Sequence, residues 1–298
     1  MDFSGTGVAI VTPFDKKGSV DFSSLEKILK HVIDGQVDFL VLLGTTAETP
    51  VLTKQEKKDI LDFVLEKTKH SKPIVVGCGG NNTSAIIEEM QYLEVNRFDA
   101  VLSVAPYYNK PTQKGLYLHF KTIADNSPVP VILYNVPSRT SSNLEASTTL
   151  QLAGHQNIAG IKEAGGNLDQ ITAIIQNRPD GFKVFSGDDS LALPIQSIGG
   201  DGLISVAANA LPFLVSSMIK HTFEDNYDKA RQIHLILADF VRMLFCEGNP
   251  AGIKAALEAM HLANAHLRLP LVEASDDLKK RIAQELIKIN EKITTYPV

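Results

Sequence analysis

Eight short runs of β-branched and other apolar residues recur along the chain, at residues 8–11, 39–43, 74–76, 100–104, 131–134, 158–161, 183–185 and 203–206. Their centres lie about 28 residues apart, room for one strand, one helix and two short loops. The gaps hold segments of helical period, such as residues 53–70 and 83–96. The runs are near-continuously apolar rather than alternating, the pattern of strands covered on both faces by helices. Eight βα units are what a closed (β/α)8 barrel requires, although a doubly wound open sheet uses a similar pattern. The favoured fold is α/β, a (β/α)8 TIM barrel.

Beyond about residue 225 the strand runs stop, and residues 228–245, 250–263 and 276–293 read as three amphipathic helices. The chain therefore divides into a barrel over residues 1–224 and a C-terminal helical domain over residues 225–298. No Pro/Gly/Ser-rich linker marks the boundary, so the helices are expected to pack against the barrel or a neighbouring subunit. A formal charge of -5, with no Lys/Arg cluster interleaved with aromatics, excludes a nucleic-acid partner. No stretch approaches the ~18 apolar residues of a membrane span, and the start has no basic leader. No membrane association and a cytoplasmic location are expected. Cys78 and Cys246 lack metal-ligand spacing and the histidines form no ligand pattern, so no metal or other cofactor is expected.

Barrel enzymes build their sites where strands run out into the following loops. Four strand ends stand out here: LLGTTAETP after the second, SVAPYYNKP after the fourth, LYNVPSRTSS after the fifth and GIKEAGG after the sixth. Lys162 lies at the end of the sixth. At a pKa near ~10.4 less than about 0.1% of a lysine is neutral at pH 7, so a nucleophilic lysine needs surroundings that lower its pKa. Tyr134, at the end of the neighbouring fifth strand, is placed to hydrogen-bond whatever binds that amine.

Each feature alone has a plainer role. Thr45 and Thr46 suit the capping of a turn, Tyr107 and Tyr108 suit loop packing, and Arg139 suits a solvated loop cation. Lys162 alone suits a rim position. CGGNNTS lacks the spacing of a nucleotide-binding loop, and the aspartates of SGDDS suit a helix start better than a metal pair. Convergence at one end of the barrel is what favours chemistry.

GTTAE, PYYNKP, YNVPSRT and GIKEA, in this order, resemble the dihydrodipicolinate synthase and N-acetylneuraminate lyase family of class I aldolases, and the resemblance runs from GVAIVTPF to NPAGIKAAL. It implies a (β/α)8 barrel with a helical C-terminal domain, a homotetramer built as a dimer of dimers, and pyruvate held as a Schiff base on Lys162. It further implies that Tyr134 relays protons and that Thr45 links it to Tyr108 of an adjacent subunit. Thr46 would hold the pyruvate carboxylate, with the main chain at Gly187 and Ile204 completing the pocket. Arg139, in PSRT, marks the synthases, where it holds the carboxylate of L-aspartate 4-semialdehyde.

The implied reaction forms 4-hydroxy-tetrahydrodipicolinate in lysine and diaminopimelate biosynthesis. Another pyruvate aldolase, such as an N-acetylneuraminate or keto-deoxy sugar acid lyase, is the alternative, and a barrel without catalysis is a third. The commoner family loop reads GTTGES, where this chain has Ala47 and Thr49. A lysine feedback pocket in the family uses a glutamate and a histidine where this chain has Ala85 and Lys54, beside the retained Asn81 and Tyr107, which implies weak or absent inhibition by lysine.

Overall fold

The structure, a computed structural model, describes residues 3–295. Its strands are Gly5–Ala9 (β1), Phe39–Leu42 (β2), Ile74–Gly77 (β3), Ala100–Val104 (β4), Val131–Asn135 (β5), Ile158–Glu163 (β6), Lys183–Ser186 (β7) and Gly202–Ser205 (β8). They form a closed barrel in chain order, with parallel pairing. Closure excludes the open doubly wound sheet. The helices that alternate with them are Phe22–Asp34 (α1), Lys54–Thr68 (α2), Thr83–Tyr92 (α3), Gln113–Asn126 (α4), the short Pro137–Thr140 (α5), Ala146–Ala153 (α6), Leu168–Asn177 (α7), Ala192–Ser197 (α8) and Pro212–Phe223 (α9).

Helix starts follow from capping chemistry. The side chains of Asp21, Thr53, Asn82, Thr112 and Asn167 accept hydrogen bonds from the first free backbone N–H groups of α1, α2, α3, α4 and α7. Strand positions such as Val8, Leu40, Val75, Val101, Ile132, Ile161, Val184 and Leu203 are wholly buried, as near-continuous apolar runs require.

Two strands depart from their apolar runs by two or more residues. β1 begins earlier and ends earlier than residues 8–11, because Thr6 and Gly7 are buried strand residues despite not being aliphatic. At its far end the N–H of Val11 donates to Asn209 Oδ1 at 3.2 Å, and Asn209 Nδ2 donates to the Ala9 carbonyl at 2.8 Å, so a side chain replaces the neighbouring strand there. β6 in turn runs on through Lys162 and Glu163. These two polar residues are strand residues, which fixes the faces on which they project.

The chain forms two compact units. One is Pro73–Ile204, carrying β3 to β7 and most of β8. The other joins Gly5–Lys72 to the chain from Ser205 onward, and so contains β1, β2, α9 and the C-terminal helices Tyr227–Cys246 (α10), Ala251–Ala259 (α11) and Asp276–Thr295 (α12). Within that second unit α10 packs on α9, and α10, α11 and α12 pack on one another. Ile233, Leu237, Phe240 and Leu244 of α10, Ile253 and Leu257 of α11, and Leu278, Ile282 and Ile289 of α12 are buried there. α11 is shorter than residues 250–263 because the chain turns left-handed at His261 (φ 58°). Among the described residues no helix is long and apolar enough to cross a membrane.

Arg268, in the segment between α11 and α12, grips the start of α2. Its guanidinium donates to Glu56 Oε2 at 2.9 Å and Oε1 at 2.5 Å, while Glu56 also closes a capping box with Thr53. The Arg268 hydrogen bonds hold the Glu56 carboxyl down from 4.5 to about 2. A depressed carboxylate pKa gives stability that is present above the unfolded value and is lost as the pH falls through the folded one. Glu56→Gln should therefore unfold at lower urea than the native chain at pH 6, by on the order of 1–3 kcal/mol. The difference should shrink between pH 4.5 and 2, and urea titrations across that window check it.

Candidate active site

The pairing of β5 with β6 organises the centre of the first unit. A register shift after Val131 brings Ile132 opposite Gly160, and from there Tyr134 opposes Lys162 and Asn135 opposes Glu163. Gly160 is required for this, since a Cβ at that position would lie 2.4 Å from the Lys183 carbonyl oxygen of β7. Lys162 is in turn opposite Phe185 of β7, and Tyr134 opposite Val104 of β4.

Lys162 is 5% exposed, with Nζ 4.4 Å from the ring centroid of Tyr134, a residue 7% exposed. A face-on aromatic contact of this kind contributes about 0.5–2 kcal/mol to an ammonium, far less than water does, so burial leaves the amine poorly solvated. Gly187 packs on the same side chain. A Cβ there would lie 3.0 Å from Cγ and Cε of Lys162 and 2.8 Å from Cβ of Ala164, and the Gly187 N–H donates to the Glu163 carbonyl at 2.7 Å. Ile204 is wholly buried in β8.

One residue further along the same strands lies a polar network. Asn135 Nδ2 donates to both oxygens of Glu163 at 3.0 and 3.1 Å, the Gly165 N–H donates to Oε1 at 2.8 Å, and Gln170 Nε2 donates to Oε2 at 3.2 Å. Burial raises the Glu163 pKa, against the lowering effect of these donors. Asn135 Oδ1 accepts from the Leu144 N–H at 2.9 Å, and Asn135 Nδ2 also reaches Asn143 Oδ1 at 2.9 Å. The network thus ties the ends of β5 and β6 to the chain that follows Arg139. Asn135 and Glu163 were not singled out from the sequence. The signal available was a polar residue closing each of two otherwise apolar strands.

Arg139 is exposed on α5, whose end is fixed by Thr140 Oγ1 donating to the Val136 and Ser142 carbonyls. Tyr108 is 89% exposed with φ 73°, at the tip of a loop braced by Asn81, whose side chain donates to the Tyr107 carbonyl at 3.2 Å and whose carbonyl accepts from Asn109 at 3.0 Å. Its ring makes almost no contact with its own chain, so the structure does not bring Tyr108 to Lys162.

Thr45 and Thr46 belong to the second unit, in a 3-10 turn Thr45–Ala47 that has no side-chain cap, so the capping role does not apply to them. Left-handed residues flank the turn, Leu43 at φ 54° and Glu48 at φ 55°. Ala47 is buried in a right-handed conformation, so alanine in place of the commoner glycine brings no backbone strain. Thr49 Oγ1 donates to the Gly44 carbonyl at 2.9 Å and closes the loop. Thr46 Oγ1 accepts from Asn249 Nδ2 at 3.0 Å, a partner that sequence spacing could not supply. Asp188 caps the turn after β7, accepting from the Ser190 N–H at 2.8 Å, as expected of SGDDS.

Residues 2–289 match the model of the dihydrodipicolinate synthetase family. The chain belongs to that family. It is 47% identical over 284 residues to a 4-hydroxy-tetrahydrodipicolinate synthase of Azobacteroides pseudotrichonymphae, covering 95% of this chain and 96% of the relative. It is 46% identical over 281 residues to one of Flavobacterium psychrophilum, covering 94% and 96%. The crystal structure of a dihydrodipicolinate synthase from Thermotoga maritima superposes with a TM-score of 0.95 at 36% identity, covering 97% of this chain and 99% of that one.

The close approach at Gly187 gives a direct test of the Lys162 side-chain position. Gly187→Ala must displace Ala164 as well as Lys162, so it should lower the melting temperature by several degrees, the scale of about 1–3 kcal/mol of overpacking, while slowing borohydride trapping of a keto acid on Lys162 by about 100-fold, the scale of a misplacement near 1 Å. Thermal melts paired with mass spectrometry of the trapped protein measure both.

Proposed function

We infer that the chain condenses pyruvate with L-aspartate 4-semialdehyde to give 4-hydroxy-tetrahydrodipicolinate, the synthase reaction of lysine and diaminopimelate biosynthesis, through a Schiff base on Lys162. The observation that carries this is the buried Lys162 amine over the Tyr134 ring at the ends of paired strands, in a chain of the dihydrodipicolinate synthetase family. The amine adds to the keto carbon of pyruvate, and the carbinolamine loses water to leave an imine. Loss of a methyl proton gives the enamine, whose carbon attacks the aldehyde of the second substrate. The amino group of that substrate then attacks the imine carbon, closes the ring and releases Lys162.

These steps need protons moved without free water, and a hydrogen-bonded hydroxyl chain is suited to that. Tyr134 is assigned the relay, with Thr45 next to it in the chain of hydroxyls and Tyr108 completing it from a second copy. The exposure and left-handed backbone of Tyr108 support a residue that is presented to a partner. Thr46 holds the pyruvate carboxylate, the main chain at Gly187 and Ile204 lines the pocket, and the exposed guanidinium of Arg139 takes the carboxylate of the semialdehyde. The working assembly is a homotetramer, a dimer of dimers, in the cytoplasm, with residues 1–224 as the catalytic barrel and 225–298 as its helical domain.

Borohydride reduction with pyruvate should add one reduced pyruvyl group to the peptide containing Lys162 and none in Lys162→Ala. Arg139→Ala should retain that adduct while raising KM for the semialdehyde at least tenfold in a coupled assay. An adduct formed without consumption of the semialdehyde, together with cleavage of sialic acid, would move the chain to the lyases. Lysine should inhibit weakly or not at all, because Ala85 offers its ammonium no carboxylate and Lys54 repels it. Half-inhibition by sub-millimolar lysine in the same assay would contradict this.

A further inference from the structure

The second unit contains a buried charge cluster that the reaction does not use. Glu48 and Lys254 form an ion pair with side chains 0% and 1% exposed. Lys254 Nζ also donates to the His266 carbonyl at 2.8 Å and lies 4.3 Å from the Phe14 ring centroid. The other Glu48 oxygen accepts from the Arg268 backbone N–H at 3.1 Å. Burial draws the Lys254 ammonium down from 10.5 to about 8, with Arg268 adding repulsion against the pull of Glu48. An apolar pair of similar volume would often be as stable, so stability alone does not account for these charges.

What the charges supply is direction. Glu48 follows the Thr45–Ala47 turn in a left-handed conformation that a residue with a Cβ adopts only when its surroundings hold it there. Both of its oxygens are held, one by Lys254 and one by the backbone of Arg268. Lys254 sits on α11, and Asn249, just ahead of the same helix, donates to Thr46 Oγ1. Because that oxygen accepts from Asn249, the Thr46 O–H is turned away from it and left to donate elsewhere. A hydroxyl so fixed, at the end of a barrel strand, suits a carboxylate.

We propose that Lys254, Glu48 and Asn249 are positioning residues: the segment at the start of α11 holds the Thr45–Thr46 turn and orients the Thr46 hydroxyl as a donor to the carboxylate of the keto-acid substrate. This rests on the assignment of Thr46 to pyruvate made above. The three residues act through Thr46 and touch no reacting atom.

Kinetics and trapping on the full-length assembly test it. Lys254→Met should raise KM for pyruvate, and the pyruvate concentration for half-maximal borohydride trapping, at least tenfold, while KM for the semialdehyde changes less than twofold. Lys254→Arg, which keeps the charge, should recover at least part of the loss. Asn249→Ala buries no unpaired charge and should give the same selective rise, so it decides the matter if Lys254→Met does not fold. Folded variants with unchanged pyruvate dependence, or with both KM values raised equally, overturn the proposal. Absence of any pyruvate adduct in the native protein is a different result, which removes the proposed function itself.

Discussion

The register between β5 and β6 is the constraint on which the rest of the site depends. Side chains alternate across a strand, so a single alignment decides two things together. It sets Tyr134 beside Lys162 on one face and Asn135 beside Glu163 on the other. The first pair is nearly apolar in its surroundings and brings an amine under an aromatic face. The second is a saturated polar network that fastens both strand ends to the segment after Arg139. A slip of one residue would exchange these environments, putting a carboxylate where the amine lies. The irregularity after Val131 and the bare Cα of Gly160 are what exclude that slip.

The fold was legible because its signal is local and repeated. Each βα unit carries its own apolar run, five of the helices start on a capping side chain, and eight such units in series leave little freedom of topology. The adjacency of Lys162 and Tyr134 was legible for a related reason: each lies at the end of one of two strands that neighbour each other in the barrel. Residues that act by bracing were not legible. Asn135 and Glu163 meet only because two strands pair, and Glu48 meets Lys254 across a separation of 206 residues. No periodicity marks such a contact before the chain is folded. Tyr108 illustrates a different limit, since it is 89% exposed and so is barely constrained by its own chain.

The division of the chain into compact units is also unlike the division by element type. Counting strands and helices puts a boundary near residue 225, and α9 does end at Phe223 while α10 begins at Tyr227. Packing instead joins the C-terminal helices to β1, β2, α1 and α2. The reason lies in the polar contacts. Arg268 reaches the Gly18 and Val51 carbonyls and the Glu56 carboxylate, Lys254 reaches Glu48, and Asn249 reaches Thr46. Each of these partners belongs to the first two βα units.

The energetic character of those contacts makes the association obligatory. An apolar helix packed on a barrel could be lost at the cost of exposed surface, a graded penalty of about 25 cal/mol per Å². A carboxylate buried in the β2–α2 loop cannot lose its ammonium in the same graded way. Without Lys254 the Glu48 charge must stay buried unpaired, take up a proton, or drag its loop to water. The last of these undoes the left-handed backbone that follows Thr45 and Thr46. Barrel and helical tail are therefore separable by element type and inseparable by charge, and the threonine turn is where their dependence is concentrated.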